Sequence, residues 1–386
     1  MRQPKGFEDP AYSNHVCLLR KALFGLKQAL RQWYTTFCNH LFSLGFSPSK
    51  ADPSLLIFHQ GHTKMFLLIY VDDILITDNN KDAISTFLHQ LNQTFALKHL
   101  GSANHFLGIR IQHKQDKYFM SQESYAISII QQANLINCNS AANPSCTKLQ
   151  VDIAMESATL SDPMTYQKIT GALQYLTITH PDIAYAVNTL SQHMHAPQSD
   201  HNFLLKRLIR YIKGTTNFGL PINKSDLHLT TYSDGDWASD PINRKSTSGY
   251  CTFLSSTLVS WTVKKQTTIS RSSTESEYRA LAASTADTIW LKRLLSGFFI
   301  TPNDPVDLHC DNTSAIALAI NPVYHAITKH IEIDHRFVRE HISNNLLRLV
   351  PIKTEDKIAD IFTKPLSTPR FKKLRDKLTI SSDPFV

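Results

Sequence analysis

The chain has 386 residues, enough for two or three domains, and its 42% hydrophobic content is that of a globular protein with a sizeable core. Its longest strongly apolar stretch, around Met65–Val71, is far shorter than the roughly 20 residues a membrane helix needs, and Met1-Arg2-Gln3-Pro4 is followed by no apolar h-region, so neither a membrane span nor a signal peptide is expected. The net charge of +8 is compatible with a polyanionic partner, and six cysteines without a CxxC pair or regular spacing read as reduced thiols of an intracellular protein.

In chain order, residues 1–20 are polar and turn-rich, with Pro4, Gly6 and Pro10. Residues 28–45 carry Trp33, Phe37, Leu41 and Leu44 at helical spacing, with Gly45 as a stop. "SLLIFH", "MFLLIYV" and "DILIT" read as three strands, which places Asp72-Asp73 at the turn of a hairpin. The pair interrupts an otherwise apolar run, "LLIYVDDILI", and unpaired carboxylates buried there would be costly. A helix over 81–93 and strands over 95–99 and 105–112 follow. Residues 137–165 are a candidate linker. "TYQKITGALQYLTIT", "DIAYAVNTLSQHM" and "HNFLLKRLIRYIKG" read as helices, the last with Leu204, Leu205, Leu208, Ile209 and Ile212 on its apolar side and Gly214 at its end. Its Lys206, Arg210 and Lys213 form either a solvated charged face or a phosphate-tracking stripe.

From about residue 226 the pattern becomes three strands (227–233, 249–254, 258–263), a long helix over 274–296, and the strand "VDLHC". Helices over 313–320 and 330–343, the strand "LLRLVPI" and a helix over 355–363 complete it. This order predicts a mixed sheet with helices on it. Four carboxylates stand out: Asp234 at a strand end, Glu277 in a first helical turn, Asp311 at a strand end and Asp360 on the last helix. Such acids meet only through the fold, repel one another unless a divalent cation neutralises them, and as hard oxygen donors suit Mg²⁺. Each also has a plainer structural role. Asp234 fits a turn beside Gly235, Glu277 fits a capping box with Thr274, Asp311 fits a helix start, and Asp360 fits an ion pair with Lys364 at i+4.

At these residues the sequence resembles the Pol polyproteins of copia-type retrotransposons. "RKSTSGYCTFL", "VSWTVKKQTTISRSSTESEYRALA" and "KIADIFTKPL" resemble the family's ribonuclease H domain. "KALFGLKQALRQWY", "IYVDDILIT" and "HFLGIRI" resemble its reverse transcriptase. "GALQYLTITHPDIAYAVNTLSQHMHAP" and "LKRLIRYIKGT" resemble the segment between them. The resemblance implies an α+β, mixed α/β multidomain chain: a truncated reverse-transcriptase palm over 1–113, a thumb or connection-like helical segment over 114–225, a ribonuclease H-like mixed sheet with helices over 226–366, and a tail over 367–386. It further implies that Asp234, Glu277 (rather than Glu275), Asp311 and Asp360 bind Mg²⁺ or Mn²⁺, that Asp72 binds the polymerase metal with Asp73 in support, that Gln28 lines the incoming nucleotide, and that Phe106-Leu107-Gly108 corresponds to a primer grip.

The implied partners are RNA–DNA hybrid and template–primer nucleic acid, with no membrane, and the implied location is cytoplasmic, in a virus-like particle, and nuclear. The family's third polymerase carboxylate, its fingers, protease and integrase precede the segment seen here, so an inactive polymerase joined to a complete nuclease is expected. The rival readings are a non-catalytic nucleic-acid-binding remnant and a poorly folding chain with an unpaired palm edge. Against the family pattern, Leu30 stands for Pro, Asp78 for Gly and Ser276 for Ala, and the histidine at His335-Arg336 is displaced by one, which bears on any role of His335 or His330.

Overall fold

The computed structural model describes residues 1–19, 23, 25–147, 162–302, 304–321 and 331–385, so the expected linker is described at its two ends and His330 lies outside the described residues. The chain divides into two compact units, Met1–Gly101 with Ser296–Phe299, and Ser102–Leu295 with Ile300–Val386. Among the described residues, no helix is long and apolar enough to cross a membrane. All six cysteines are free thiols.

In the first unit, α1 (Lys27–Ser43) buries Phe37, Cys38 and Leu41 at helical spacing, and Gly45 turns the chain at φ 95°. It packs on an antiparallel sheet of β1 (Ser47–Pro48), β2 (Leu55–Gln60), β3 (Thr63–Tyr70) and β4 (Asp73–Asp78), ordered as in the chain. The alternation along β3 sends Met65, Leu67 and Ile69 into a core shared with Phe87 and Leu91 of α2 (Lys81–Asn92), whose cap is the Asn80 side chain accepting from Asp82 N–H. The expected strand over 95–99 is not formed. Phe95 and Leu97 pack on this core from irregular chain, with Phe95 N–H donating to Leu91 carbonyl at the helix end.

The second unit contains two sheets. The first is antiparallel, ordered β14-β8-β7-β6-β5, from β5 (His105–Phe106), β6 (Ile109–Lys114), β7 (Lys117–Ser121), β8 (Phe218–Asn223) and β14 (Ser381–Ser382). The single strand expected over 105–112 is two strands, because Leu107 (φ 49°) and Gly108 (φ 70°) make a tight reversal sealed by the Tyr175 hydroxyl donating to the Leu107 carbonyl. Helices α3 (Glu123–Gln132), α4 (Pro163–Leu176), α5 (Ala184–Ser191) and α6 (Ser199–Lys213) share an apolar core with Leu220 of β8. Asp162 caps α4, accepting from Met164 N–H at 3.0 Å.

The second sheet is mixed, ordered β11-β10-β9-β12-β13. Strands β9 (Leu229–Asp236), β10 (Thr247–Leu254) and β11 (Thr257–Lys265) are antiparallel, and β12 (Val306–Cys310) and β13 (Leu347–Pro351) run parallel beside β9. Helices α7 (Ser273–Gly297), α8 (Thr313–Ile320) and α9 (Glu332–Ser343) complete this region, which is the mixed sheet with helices that the strand pattern predicts. The helix expected over 355–363 is instead two 3₁₀ turns, Thr354–Asp356 and Ile358–Phe362. The stretch read as a tail carries α10 (Thr368–Lys377), whose Phe371 and Leu374 are buried in the same core as Ile358, Ile361 and Phe362.

Two cations of the basic stripe on α6 have backbone partners. Arg210 Nε donates to the Asn139 carbonyl at 2.8 Å, and Lys213 Nζ donates to the carbonyls of Cys138, at 2.6 Å, and Ile136. Arg207 Nε reaches Ser145 carbonyl at 3.1 Å, and Ala141 N–H returns a bond to Arg210 carbonyl at 3.0 Å. Arg210 and Lys213 therefore hold the 136–145 segment against the helix, a role that neither sequence reading of the stripe included. Lys206 is half-buried on the same helix. Replacing Arg210 and Lys213 together by Met should lower stability by about 2–4 kcal/mol, at about 1–2 kcal/mol per charged donor in a partly exposed setting, measured by urea unfolding. Unchanged stability would return both residues to a solvated face.

Candidate metal centre

The four C-terminal acids reach one region from four elements. Asp234 lies near the end of β9, Glu277 in the opening turns of α7, Asp311 just after β12 and Asp360 in the second 3₁₀ turn. Local packing forces this approach. A Cβ on Gly235 would lie 2.5 Å from Ser276 carbonyl oxygen and 2.8 Å from Glu277 nitrogen, so only glycine lets the start of α7 press on β9. A Cβ on Gly249, opposite Asp234 in the ladder, would meet Phe362 Cβ at 2.6 Å. The turn bearing Asp360 buries Ile358, Ala359, Ile361 and Phe362, which anchors the backbone between Lys357 and Lys364.

The ammonium of Lys357 lies at the centre. Its Nζ is 2.5 Å from Asp234 Oδ1, 2.7 Å from Glu277 Oε1 and 2.5 Å from Asp311 Oδ1. Glu277 Oε2 accepts from Gly235 N–H at 3.1 Å, Asp311 Oδ2 accepts from Thr354 Oγ1 at 2.8 Å, and Asp234 Oδ2 accepts from Thr363 Oγ1. Asp360 does not touch Lys357. It pairs with Lys364 at 2.9 Å, the i+4 partner expected from sequence, and with Arg370. Lys364 Nζ also lies 3.4 Å from Asp234 Oδ2, so Asp234 is shared between two ammonium groups.

Burial pushes the Asp234 carboxyl up, but Lys357 and Lys364 outweigh it and hold it below its ordinary value. Burial, with Asp234 alongside, raises Glu277 to about 8 despite Lys357. Burial raises Asp360 too, with Asp234 adding to it. Burial alone would lower Lys357, but Asp234 and Glu277 hold its proton firmly. The three carboxyl groups offer only hard oxygen donors to the centre, and Glu277, raised to about 8, would give up its proton to a bound ion. This set fits a divalent cation such as Mg²⁺. Glu277, Cys310 and Asp311 also have ligand atoms within 4.8 Å of one another, but burial raises the Cys310 thiol to about 12, which keeps it protonated and favours the carboxylates.

The capping-box role for Glu277 with Thr274 is not what forms. Ser272 Oγ accepts from Glu275 N–H at 3.1 Å, and Glu275 accepts from Arg271 N–H at 2.8 Å while pairing with Arg279 at 2.7 Å. Glu275 therefore serves the helix start, and Glu277 faces Asp234 and Asp311. Sequence reasoning missed Lys357, Thr354, Thr363 and Arg370 altogether. It also missed Asp236, a half-buried neighbour raised to about 6 by burial, with Asp234 and Asp360 adding to the effect against Lys364. His335 is buried, with Nε2 3.0 Å from Leu318 carbonyl oxygen and 3.2 Å from Arg339 Nη2, a structural setting.

In the first unit, Asp72 and Asp73 are exposed, which corrects the premise that they are buried. The chain reverses between the paired residues Tyr70 and Asp73, through Val71 at φ 53°, an uncommon conformation for a β-branched residue, so both carboxylates stand at a hairpin tip in water. Gln28 is exposed in the first turn of α1.

Residues 1–147 match the family described as "Reverse transcriptase (RNA-dependent DNA polymerase)". The retrovirus-related Pol polyprotein from transposon RE1 of Arabidopsis thaliana is 40% identical over 385 residues, covering 100% of this chain. The chain spans only 26% of that relative's length. The uncharacterized mitochondrial protein AtMg00810 of the same plant is 45% identical over 227 residues, 58% of this chain and 94% of that protein. A solved N-terminal RNase H domain of Rv2228c from Mycobacterium tuberculosis, fused to maltose binding protein, covers 39% of this chain and 98% of its own at 12% identity and a TM-score of 0.27. The protein is thus of the reverse-transcriptase-bearing class. More particularly, it belongs to the copia-type retrotransposon Pol polyproteins.

Gly235→Ala tests the close approach of β9 and α7. The new methyl meets backbone that cannot rotate away, so a loss of about 1–3 kcal/mol is expected on urea unfolding. Wild-type stability in this variant would contradict the packing described.

Proposed function

We propose that residues 226–366 are a ribonuclease H-like nuclease that hydrolyses the RNA strand of RNA–DNA hybrids, joined through a thumb or connection-like segment (114–225) to part of an RNA-directed DNA polymerase palm (1–113). The observation that carries this reading is the meeting of Asp234, Glu277 and Asp311 within 2.5–2.7 Å of one cation, with Asp360 coupled to Asp234 through Lys364. In a mixed sheet of this order, these are the four acids to which the family resemblance gives a metal-binding role.

Asp234, Glu277, Asp311 and Asp360 would hold Mg²⁺ or Mn²⁺. When bound, two such ions supply charge neutralisation for an in-line phosphoryl displacement by water. The chain's own residues set the geometry. Gly235 N–H and Thr354 Oγ1 fix the second oxygens of Glu277 and Asp311, so each carboxylate presents its other oxygen to the centre. Arg370 ties Asp360 to the Thr354 carbonyl, at 2.7 Å from the latter, and so links two of the acids through one loop. In the palm portion, Asp72 and Asp73 are proposed as the polymerase acids and Gln28 as a nucleotide contact, acting on template–primer.

A second reading, a non-catalytic nucleic-acid-binding remnant, is favoured by one observation: Lys357 already neutralises the acids. Cleavage of a 5′-labelled RNA–DNA hybrid in Mg²⁺ or Mn²⁺ separates the two. The nuclease reading expects RNA-strand cutting that falls at least a hundredfold in Asp234→Asn and in Asp311→Asn, with hybrid binding within about threefold of wild type. No cutting by the wild type, or equal cutting by both variants, contradicts it.

A further inference from the structure

The acid cluster carries its own cations. Lys357 has 1% of its side chain exposed and touches three carboxylates from three elements, whereas Lys364, 32% exposed, touches Asp234 and Asp360. The two ammonium groups occupy neighbouring positions that share Asp234, one sealed and one open to solvent. We propose that Lys357 is a built-in competitor for divalent cations: it holds Asp234, Glu277 and Asp311 together without metal, and it must swing out before an ion takes them. This inference rests on the nuclease reading.

The geometry makes occupancy exclusive. An ammonium nitrogen 2.5–2.7 Å from three oxygens fills the space in which Mg²⁺ would approach the same oxygens, since its ligand distance is about 2.0–2.1 Å. Lys357 also has the advantage of a tether, which keeps its local concentration high, while Mg²⁺ sheds its water reluctantly. If the ammonium is withdrawn in about 1% of molecules, apparent metal affinity falls about a hundredfold.

The backbone on the two sides of Lys357 differs in burial. Lys357 is an extended residue (ψ 102°) between two 3₁₀ turns; the turn after it is buried throughout, whereas the turn before it, Thr354–Asp356, buries no residue. Its own N–H reaches Thr354 carbonyl at a long 3.4 Å. The N-terminal side is therefore the less buried side; it is held by polar contacts, Thr354 to Asp311 and Arg370, and Asp356 to Lys377, and withdrawal of Lys357 would have to break or carry these with it.

The test measures Mn²⁺ binding to the full chain by electron paramagnetic resonance, comparing wild type with Lys357→Gln, a neutral side chain of similar length. The expected result is Mn²⁺ affinity at least tenfold higher in Lys357→Gln, with a Tm that lies below wild type in EDTA and rises more than wild type on adding Mn²⁺. Equal affinity in the two folded proteins overturns the competitor role and leaves the metal reading standing. No Mn²⁺ binding by either overturns both. Reductive methylation of the wild type, mapped by peptide mass spectrometry, does not depend on the variant folding. Lys357 should react more slowly than Lys364 in EDTA and faster at saturating Mn²⁺, and a Lys357 rate that Mn²⁺ leaves unchanged overturns the proposal.

Discussion

Three carboxylates brought out of water repel one another, and the ammonium of Lys357 is what makes the meeting of Asp234, Glu277 and Asp311 tolerable in this fold. Removing one partner from such a buried ionic group typically costs about 3–5 kcal/mol, because the remaining charges are left uncompensated. The surrounding elements are positioned accordingly. Gly235 and Gly249 give up side chains so that α7 and the 3₁₀ turn after Lys357 can press against β9 and β10. Ile358, Ile361 and Phe362 pin that turn into the main core, and the lysine side chain just before them enters the cluster. Stability and chemistry thus draw on the same few contacts, and a change in the cation at the centre alters both.

The other acidic pair obeys the opposite rule. Asp72 and Asp73 lie at an exposed hairpin tip, where water screens them and no lysine is needed. What constrains that hairpin is backbone geometry: an eight-residue strand and a six-residue strand joined across Tyr70 and Asp73, with Val71 held at φ 53°. The two units therefore solve the problem of adjacent carboxylates differently, by exposure in one and by an internal counter-ion in the other.

Much of this was legible in the sequence wherever the signal was local. Helical spacing of Trp33, Phe37 and Leu41, and the period-two pattern of Met65, Leu67 and Ile69, gave α1 and the hairpin nearly to the residue. Three antiparallel strands, a long helix and alternating elements gave the mixed sheet. Most of the misses were long-range. β8 is a short strand, "FGLPIN", that pairs with β7, about a hundred residues earlier in the chain, so neither its composition nor its neighbours announce it. The single strand read over 105–112 hid a reversal that needs positive φ at Leu107 as well as at Gly108, and leucine gives no such signal. The cations of α6 looked like a surface stripe because their acceptors are backbone carbonyls of 136–139, groups with no sequence signature. Lys357 was invisible for a different reason. Its partners are distant in sequence, and the one local hint is a lysine heading the apolar run "IADIF", where a buried charge requires acids from elsewhere.

Anomalous diffraction from crystals equilibrated with Mn²⁺ tests the central claim most directly. The account predicts a manganese peak within coordination distance of Asp234, Glu277 and Asp311, with the Lys357 ammonium displaced from among them. Crystals at saturating Mn²⁺ that retain Lys357 between the three carboxylates, with no anomalous peak beside them, would contradict it.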